Sequence, residues 1–348
     1  MSIKVIQYGI GEIGSEITRL LTQKEGVEII GAYDIDENKV GKDLGEVAKL
    51  NYKLGIKISS DYNEVFSEKA DVVLHSTSSK AKEVYLQLVE IIKRGANVIT
   101  SSEELGYPYK YNPDIARDLN ELAIKHKVAI LGTGVNPGFA MDFLPLVLTG
   151  VCQHVYEIYV KRIQDAAQRR PAFQRKIGIG LTLEQFEKRI AKGGGHVGLK
   201  ESITMIADGL GWQLDNVDTK IEPILADVPM VTEFLKIESG QVIGLKQKGE
   251  GFVASRPVIT LDFVASLIPP DPHDEIQIIG KPSINLRIDQ GLHGDLATSA
   301  IMVNAIPRII EAEPGFKTMK DIPAPFYTTI FFRCRGANRQ DLDQPEGG

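Results

Sequence analysis

The chain has only two cysteines, Cys152 and Cys334, among 348 residues. They lie far apart, so they make neither a disulfide framework nor a metal-ligand pair, and they fit a reducing cytoplasm. No apolar run approaches the length of a membrane span, so no membrane partner is expected. There is no basic excess: 40 Lys and Arg stand against 46 Asp and Glu, a formal net charge of −6. That balance offers no electrostatic footprint for nucleic acid or an anionic surface. Solenoid periods and low-complexity tracts are missing. The opening Met1-Ser2-Ile3-Lys4-Val5 reads straight into a strand, with no signal peptide expected. No histidines are spaced with carboxylates as ligands on one helix face, which predicts no catalytic metal. His75, His126, His154, His273 and His293 read as structural or exposed.

What is present is a globular composition, 43% hydrophobic and 25% charged, at a length suited to two domains. The first half alternates strand and helix. Strands are expected at 3–8, 27–34, 71–75, 97–100 and 128–131, and helices at 13–24, 80–94 and 113–127. Asn112-Pro113 supplies a capping side chain and a proline at the first helical position. This spacing predicts a parallel sheet with right-handed crossovers. After the turn Asn136-Pro137-Gly138 the pattern changes. A short helix is expected at 139–149. Strands follow at 155–163, 217–225, 241–247, 256–268, 274–280 and 283–289, with helices at 182–192 and 199–210. A mostly antiparallel sheet covered by helices is expected. Residues 295–312 read as a helix broken near Pro307 that returns to the first domain, and 336–348 as a frayed tail. The expected organisation is a dinucleotide-binding domain over 1–138, an α+β domain over 139–294, and a returning segment over 295–335.

Gly9-Ile10-Gly11-Glu12-Ile13-Gly14 is a G-x-G-x-x-G set between a strand and an amphipathic helix. Gly9 permits a tight turn, Gly11 lets backbone approach a pyrophosphate, and Gly14 allows close helix–strand packing. The helix N-terminus offers free N–H groups to the phosphates. Asp34 ends the second strand, where a carboxylate accepts hydrogen bonds from a ribose diol and repels a 2′-phosphate. Asp36 and Glu37 add to that repulsion, while Lys39 softens it. A Rossmann domain that takes NAD, with NADP possible, follows from these residues. His75-Ser76-Thr77-Ser78-Ser79 follows the next sheet strand, at the edge where ligands sit. Ser76, Thr77 and Ser78 therefore join the cofactor set, together with Ser101 and Asn136.

Ser101-Ser102-Glu103-Glu104 follows the strand at 97–100. Two adjacent carboxylates on a loop cannot point the same way, so at most one faces the substrate, as a general acid or base raised by desolvation. The bland alternative is an exposed acidic pair before Tyr107-Pro108. Lys161, Arg162, Arg169, Arg170, Arg175 and Lys176 cluster with only Asp165 opposing them. One arginine could clamp a carboxylate, Arg162 first, or the set could be a solvated or interface loop. Gly193-Gly194-Gly195-His196-Val197-Gly198 suits a backbone that approaches something closely; His196 could bind substrate or cap its neighbours. Phe139, Phe143, Tyr159, Phe173, His196 and Thr298 are candidate pocket walls, against ordinary core packing for the aromatics.

The Gly9–Gly14 loop, Ser101–Leu105, Gly132–Phe139, Arg162–Gly180, Gly195–Gly198 and His293–Pro307 together resemble the 2,4-diaminopentanoate dehydrogenase family, which includes native amine dehydrogenases. The resemblance runs from about residue 3 to about 330. Over the first domain these are similar to dihydrodipicolinate reductase, whose paired-histidine motif has no counterpart here, since no two histidines are adjacent. The resemblance implies a homodimer, an α+β domain over 139–294 used for substrate and dimer contacts, and NAD(P)-linked interconversion of an amine with a ketone or aldehyde plus ammonia. It selects Glu104 as the acid–base residue, with Glu103 second. The expected activity is that of an amine dehydrogenase with a broad or simple carbonyl substrate; a strict 2,4-diaminopentanoate dehydrogenase acting on an amino acid is the alternative. A sensor that binds NADH without turnover is the alternative from another class.

Overall fold

The computed structural model describes residues 2–190, 195–232 and 235–331. Gly193, Gly194 and the chain from 332 onward, including the expected frayed tail, lie outside the described residues.

In chain order the first elements are β1 (Ile3–Tyr8), α1 (Glu12–Leu21), β2 (Val27–Tyr33), α2 (Leu44–Val47), β3 (Ile58–Ser59) and α3 (Tyr62–Val65). Then come β4 (Val72–His75), α4 (Ala81–Lys93), β5 (Asn97–Thr100), α5 (Pro113–His126) and β6 (Ala129–Gly132). The strands are nearly all apolar because helices cover both faces. Within β1, Ile3 and Val5 join a core with Ile13, Ile17 and Leu21 of α1, while Ile6 and Tyr8 join the opposite core with Val84, Leu88 and Leu119. That is the period of two expected of a strand between helix layers. α5 starts at Pro113, but Asn112 makes no side-chain cap, and the helix stops on Lys127 in the left-handed region at φ 57°.

The second part comprises α6 (Phe143–Thr149), β7 (His154–Asp165), α7 (Pro171–Lys176), α8 (Leu183–Arg189) and α9 (Leu199–Gly209). It continues with β8 (Asn216–Leu225), β9 (Met230–Val231), β10 (Lys236–Ile237), β11 (Val242–Val253), β12 (Arg256–Ser266), β13 (His273–Lys281) and β14 (Ile284–Asp289). α8 begins with a reciprocal capping box between Thr182 and Gln185. The helix expected from 139 begins at Phe143, because Asp142 caps it there and also accepts from Gly138 N at 2.8 Å. The chain closes with α10 (Gly294–Asn304), α11 (Ile306–Glu311) and β15 (Gly315–Lys317).

Among the described residues one sheet has the order β15-β6-β5-β4-β1-β2-β3, with every pair parallel. The order reverses at β1, between β4 and β2. In an open sheet of this kind the crevice outside the strand ends at that switch point is where ligands bind. The second sheet has the order β14-β13-β7-β12-β11-β8. It is antiparallel except for β7 and β12, which run parallel and are joined by a long excursion through α7, α8 and α9. α9 packs on β11 and β12 and shares their core through Leu199, Ile203 and Ile206. After β14 the chain runs back to the first sheet: α10 packs on α1, and β15 pairs with β6. Among the described residues no helix is long and apolar enough to cross a membrane.

Candidate active site

The loop between β1 and α1 is shaped by its glycines. Gly9 adopts φ 85°, and a Cβ there would sit 2.5 Å from Ser76 O. A Cβ on Gly14 would lie 1.9 Å from Gly9 O, so only glycine lets α1 start this close to the strand. A Cβ on Gly11 would meet nothing within 4 Å, because this residue borders open space. Gly11 is also the N-cap of α1 and makes no side-chain cap, which leaves first-turn N–H groups free for an anion. Gln7 and Ser76 both donate to Gly9 O, at 3.0 and 3.1 Å, and lock the turn. This cradle fits a dinucleotide pyrophosphate.

Asp34 follows β2 and is largely buried. Its Oδ2 accepts from Ile10 N at 2.7 Å and lies 3.2 Å from Lys39 Nζ; its Oδ1 accepts from Asp36 N at 2.9 Å. Lys39 also pairs with Asp36 at 3.3 Å. A hollow of about 360 Å³ beside Gly11 is lined by Ile10, Glu12, Ser15, Arg19, Lys39 and Lys49. Of the three cations that line this hollow, Lys39 is the one paired with Asp34.

From Gly11 a cleft of about 280 Å³ runs along the ends of β4, β5 and β6 toward the second sheet. Glu12, Ile13, Ser76, Thr77, Ser78 and Ser101 line it on one side, with Arg162, Phe173, His196 and Thr298 on the other. Asn136 lies between them, and its Oδ1 is buried without a hydrogen-bond partner. Its Nδ2 donates to His196 Nε2 at 2.8 Å. His196 stacks on Phe263 at 4.6 Å, and Gln247 brackets its backbone through Oε1 at 3.1 Å and Nε2 at 2.9 Å. Burial pushes the His196 pKa down to about 4, so the ring is neutral. With Nε2 accepting from the amide, the ring proton belongs on Nδ1.

The two adjacent glutamates diverge. Glu104, the carboxylate selected by resemblance, does not line the cleft. Its Oε2 accepts from Ala81 N at 2.8 Å and caps α4, a helix N-terminus that attracts an anion. Glu103 is the one that faces the cleft. Lys176 Nζ reaches both its oxygens, at 2.8 and 2.6 Å, and Ser79 Oγ at 3.1 Å. Behind them lies Glu201 on α9. Burial first, and then the nearby Glu104 and Glu103 carboxylates, raise its pKa to about 7.

The arginine cluster also sorts itself. Arg162, the first choice for a substrate clamp, is fully buried and committed to Asp274 and to Leu292 O. Arg169 grips Asp295 with two hydrogen bonds of 3.0 Å and lies 4.1 Å over the Phe173 ring. Arg170 Nε lies 3.0 Å from Asp295 Oδ1 and 3.7 Å from Glu12 Oε2, an ion pair out of line for a hydrogen bond. Of these three cleft arginines it is the most exposed, with a third of its side chain open.

Three expected pocket walls stand elsewhere. Phe139 and Phe143 pack on each other at 6.4 Å within the core shared by α1 and α10. Tyr159 donates to Asp262 at 2.8 Å, beside a different hollow. Apolar packing took the two phenylalanines, and Tyr159 stays half-buried on β7 with its hydroxyl on Asp262. The cleft residues to which sequence reasoning gave no role include Ser79, Phe263, Asp295 and Lys176. Ser79 had been quoted in the loop after β4, Asp295 within a family-like stretch and Lys176 in a basic run, each without a role in the cleft; Phe263 carried no signal.

Two family models match this chain: the 2,4-diaminopentanoate dehydrogenase C-terminal domain over residues 139–334 and the dihydrodipicolinate reductase N-terminus over 3–102. The chain is 36% identical to 2,4-diaminopentanoate dehydrogenase of Acetoanaerobium sticklandii, covering 93% of this chain and 94% of that protein. It is 23% identical to an amine dehydrogenase of Streptomyces virginiae, covering 92% and 96%. The solved amine dehydrogenase of Mycobacterium smegmatis superposes with a TM-score of 0.86 at 25% identity, over 95% of this chain and 99% of that one. With the cradle, the switch-point cleft and the second sheet in place, the chain belongs to the 2,4-diaminopentanoate dehydrogenase family and is a dehydrogenase of that type rather than a turnover-free sensor.

Proposed function

We propose that this protein interconverts an amine with a carbonyl compound and ammonia, using NAD(H) and accepting NADP(H), and that its substrate carries a carboxylate. The observation that carries the reading is the cleft itself. One cleft is lined by the dinucleotide cradle, by the carboxylate Glu103 and by Arg170, a third of whose side chain stays exposed, and this supports the reading. Identity to a 2,4-diaminopentanoate dehydrogenase over nearly the whole chain supports the amino-acid substrate.

The residues that would hold the cofactor are the Gly9–Gly14 turn and the α1 N-terminus for the phosphates. Asp34 would take the ribose, and Asn136 Oδ1 would accept from a carboxamide. When bound, the nicotinamide supplies the hydride. Asp34 already accepts three hydrogen bonds or ion contacts, and a carboxylate has about four lone-pair sites. One ribose hydroxyl can still bind. Lys39, Arg19 and Lys49 offset the charge that would otherwise repel a 2′-phosphate.

Glu103 takes a proton from ammonium, so that neutral ammonia attacks the carbonyl. It returns a proton as the carbinolamine loses water, which leaves the iminium to be reduced. Each proton transfer is worth roughly 10²–10⁴ in rate. Arg170 holds the substrate carboxylate, and Phe173 and Phe263 keep the reacting end dry. The dimer implied by the resemblance would use the outer face of the second sheet, where Ile224, Leu225, Val264 and Ile268 line a hollow of about 680 Å³. Light scattering on the purified protein tests that part.

The test of the reaction follows NADH absorbance in concentrated ammonium buffer with 2-amino-4-oxopentanoate, cyclohexanone and a short aldehyde, each with and without ammonia. Ammonia-dependent oxidation of NADH that favours the amino acid is expected. Glu103→Gln should lose about 10²–10⁴ in turnover, far more than Glu104→Gln. Ammonia-independent turnover would reject the mechanism. A preference for the simple carbonyls would replace the amino-acid substrate with a broad one.

A further inference from the structure

The cation that meets Glu103 comes from across the cleft. Lys176 is the last residue of α7, 73 positions further along the chain. Its three donors go to Glu103 Oε1, Glu103 Oε2 and Ser79 Oγ, at 2.8, 2.6 and 3.1 Å. The ammonium therefore ties the loop after β4 and the loop after β5 to the second part of the chain. The pair is well sheltered, with 28% of the lysine side chain and 22% of the glutamate exposed. That separates it from open surface pairs, which contribute little. A glutamate has three rotatable side-chain bonds, and the bidentate grip fixes both the direction and the plane of its carboxylate. Without a partner on this side, the helix N-terminus that holds Glu104 would be a competing destination for Glu103 as well.

We propose that Lys176 is a positioning residue for the reaction: it aims the Glu103 carboxylate into the cleft and stays beside it as counter-charge while the proton is taken up and returned. The inference rests on the reading of Glu103 as the acid–base group. In the step concerned, an O–H bond forms at Glu103 as an N–H bond of ammonium breaks. The carboxylate becomes neutral, the ammonium becomes ammonia, and the Lys176 charge does not change. An ammonium or protonated amine entering the cleft meets the same two oxygens. Lys176 must yield part of its grip to it, and Ser79 Oγ keeps the lysine in place as it does so.

The experiment compares Lys176→Met, Lys176→Gln, Lys176→Arg, Glu103→Gln and the double variant Lys176→Met/Glu103→Gln. Steady-state amination is measured alongside NADH binding by fluorescence titration, which reports an intact cofactor cradle independently of turnover. Lys176→Met and Lys176→Gln are expected to lose about tenfold to a hundredfold in kcat, the scale of a misplaced catalytic group, with a much smaller change in KM. Lys176→Arg should recover most of that loss, since a guanidinium also grips a carboxylate with two donors. The double variant should be no slower than Glu103→Gln alone, because Lys176 acts through Glu103. Full turnover in both Lys176→Met and Lys176→Gln, with Glu103→Gln inactive, overturns this inference alone. So does a double variant whose loss is the product of the two single losses. Full turnover in Glu103→Gln overturns the acid–base reading and this inference with it.

Discussion

Replacing Glu201 by glutamine should remove a pH-dependent weakness from the fold. Glu201 lies in the first turn of α9 and is only 6% exposed. Desolvation raises its pKa from 4.5 to about 7; Glu104 and Glu103 add to the rise, and Lys200 opposes it. The folded state therefore holds a proton that the unfolded chain releases above its ordinary value. Below about pH 4.5 both states are protonated and the group contributes nothing. Between there and about pH 7 the unfolded state gains from ionising and stability falls as pH rises. Above that the penalty is constant, at about 3 kcal/mol for a shift of this size. For a chain of this length that corresponds to about 4 °C in Tm. Glu201→Gln should match the wild type in thermal melts at low pH and exceed it by about that amount in mildly alkaline buffer. A Tm difference of the same size at both ends of the pH range, or none at either, would refute the argument.

Gly14→Ala should lose at least about tenfold in NADH affinity and about 1–3 kcal/mol in stability, since its Cβ would lie 1.9 Å from Gly9 O and α1 would have to move. Fluorescence titration with a thermal melt checks both, and wild-type values would show that the cradle has slack. Lys39→Gln should lower the affinity for adenosine 2′,5′-bisphosphate relative to ADP by about tenfold, the scale of one charge-assisted contact. Calorimetry reads that ratio, and an unchanged ratio would remove Lys39 from the cofactor's adenosine end. Arg170→Met should raise KM about tenfold to a hundredfold for the carboxylate-bearing carbonyl and leave cyclohexanone much less affected. An equal effect on both substrates would show that Arg170 holds the cleft together instead of binding a carboxylate.

Local pattern alone carried much of this molecule. The alternation of short apolar runs with amphipathic helices specifies a parallel sheet, because each run is buried on both faces only if helices cover it. Gly9, Gly11, Gly14 and Asp34 announce the dinucleotide cradle because the turn, the close approach and the buried acid each demand a particular residue type at a particular place. What had no local signature was missed or misplaced. The strand expected to end at 247 runs to Val253, since Ala254 and Ser255 make the β11–β12 turn at φ 48° and 63° without the usual glycine or asparagine. β15 is three residues long, too short for any period, and exists because β6 has a free edge. The choice between Glu103 and Glu104 belongs to the same class. Neighbouring positions carry no direction of their own, and the outcome was set by two distant partners, the α4 N-terminus for Glu104 and Lys176 for Glu103. The arginines divide likewise: Asp274 and Asp295 satisfy Arg162 and Arg169 from far along the chain, while Arg170, also beside Asp295, stays partly exposed. The sequence determined which chemistry gathers at the sheet edge, because that rests on residue type and spacing. Which side chain of each set faces the cleft was decided only by the folded chain, because that depends on partners brought from other elements.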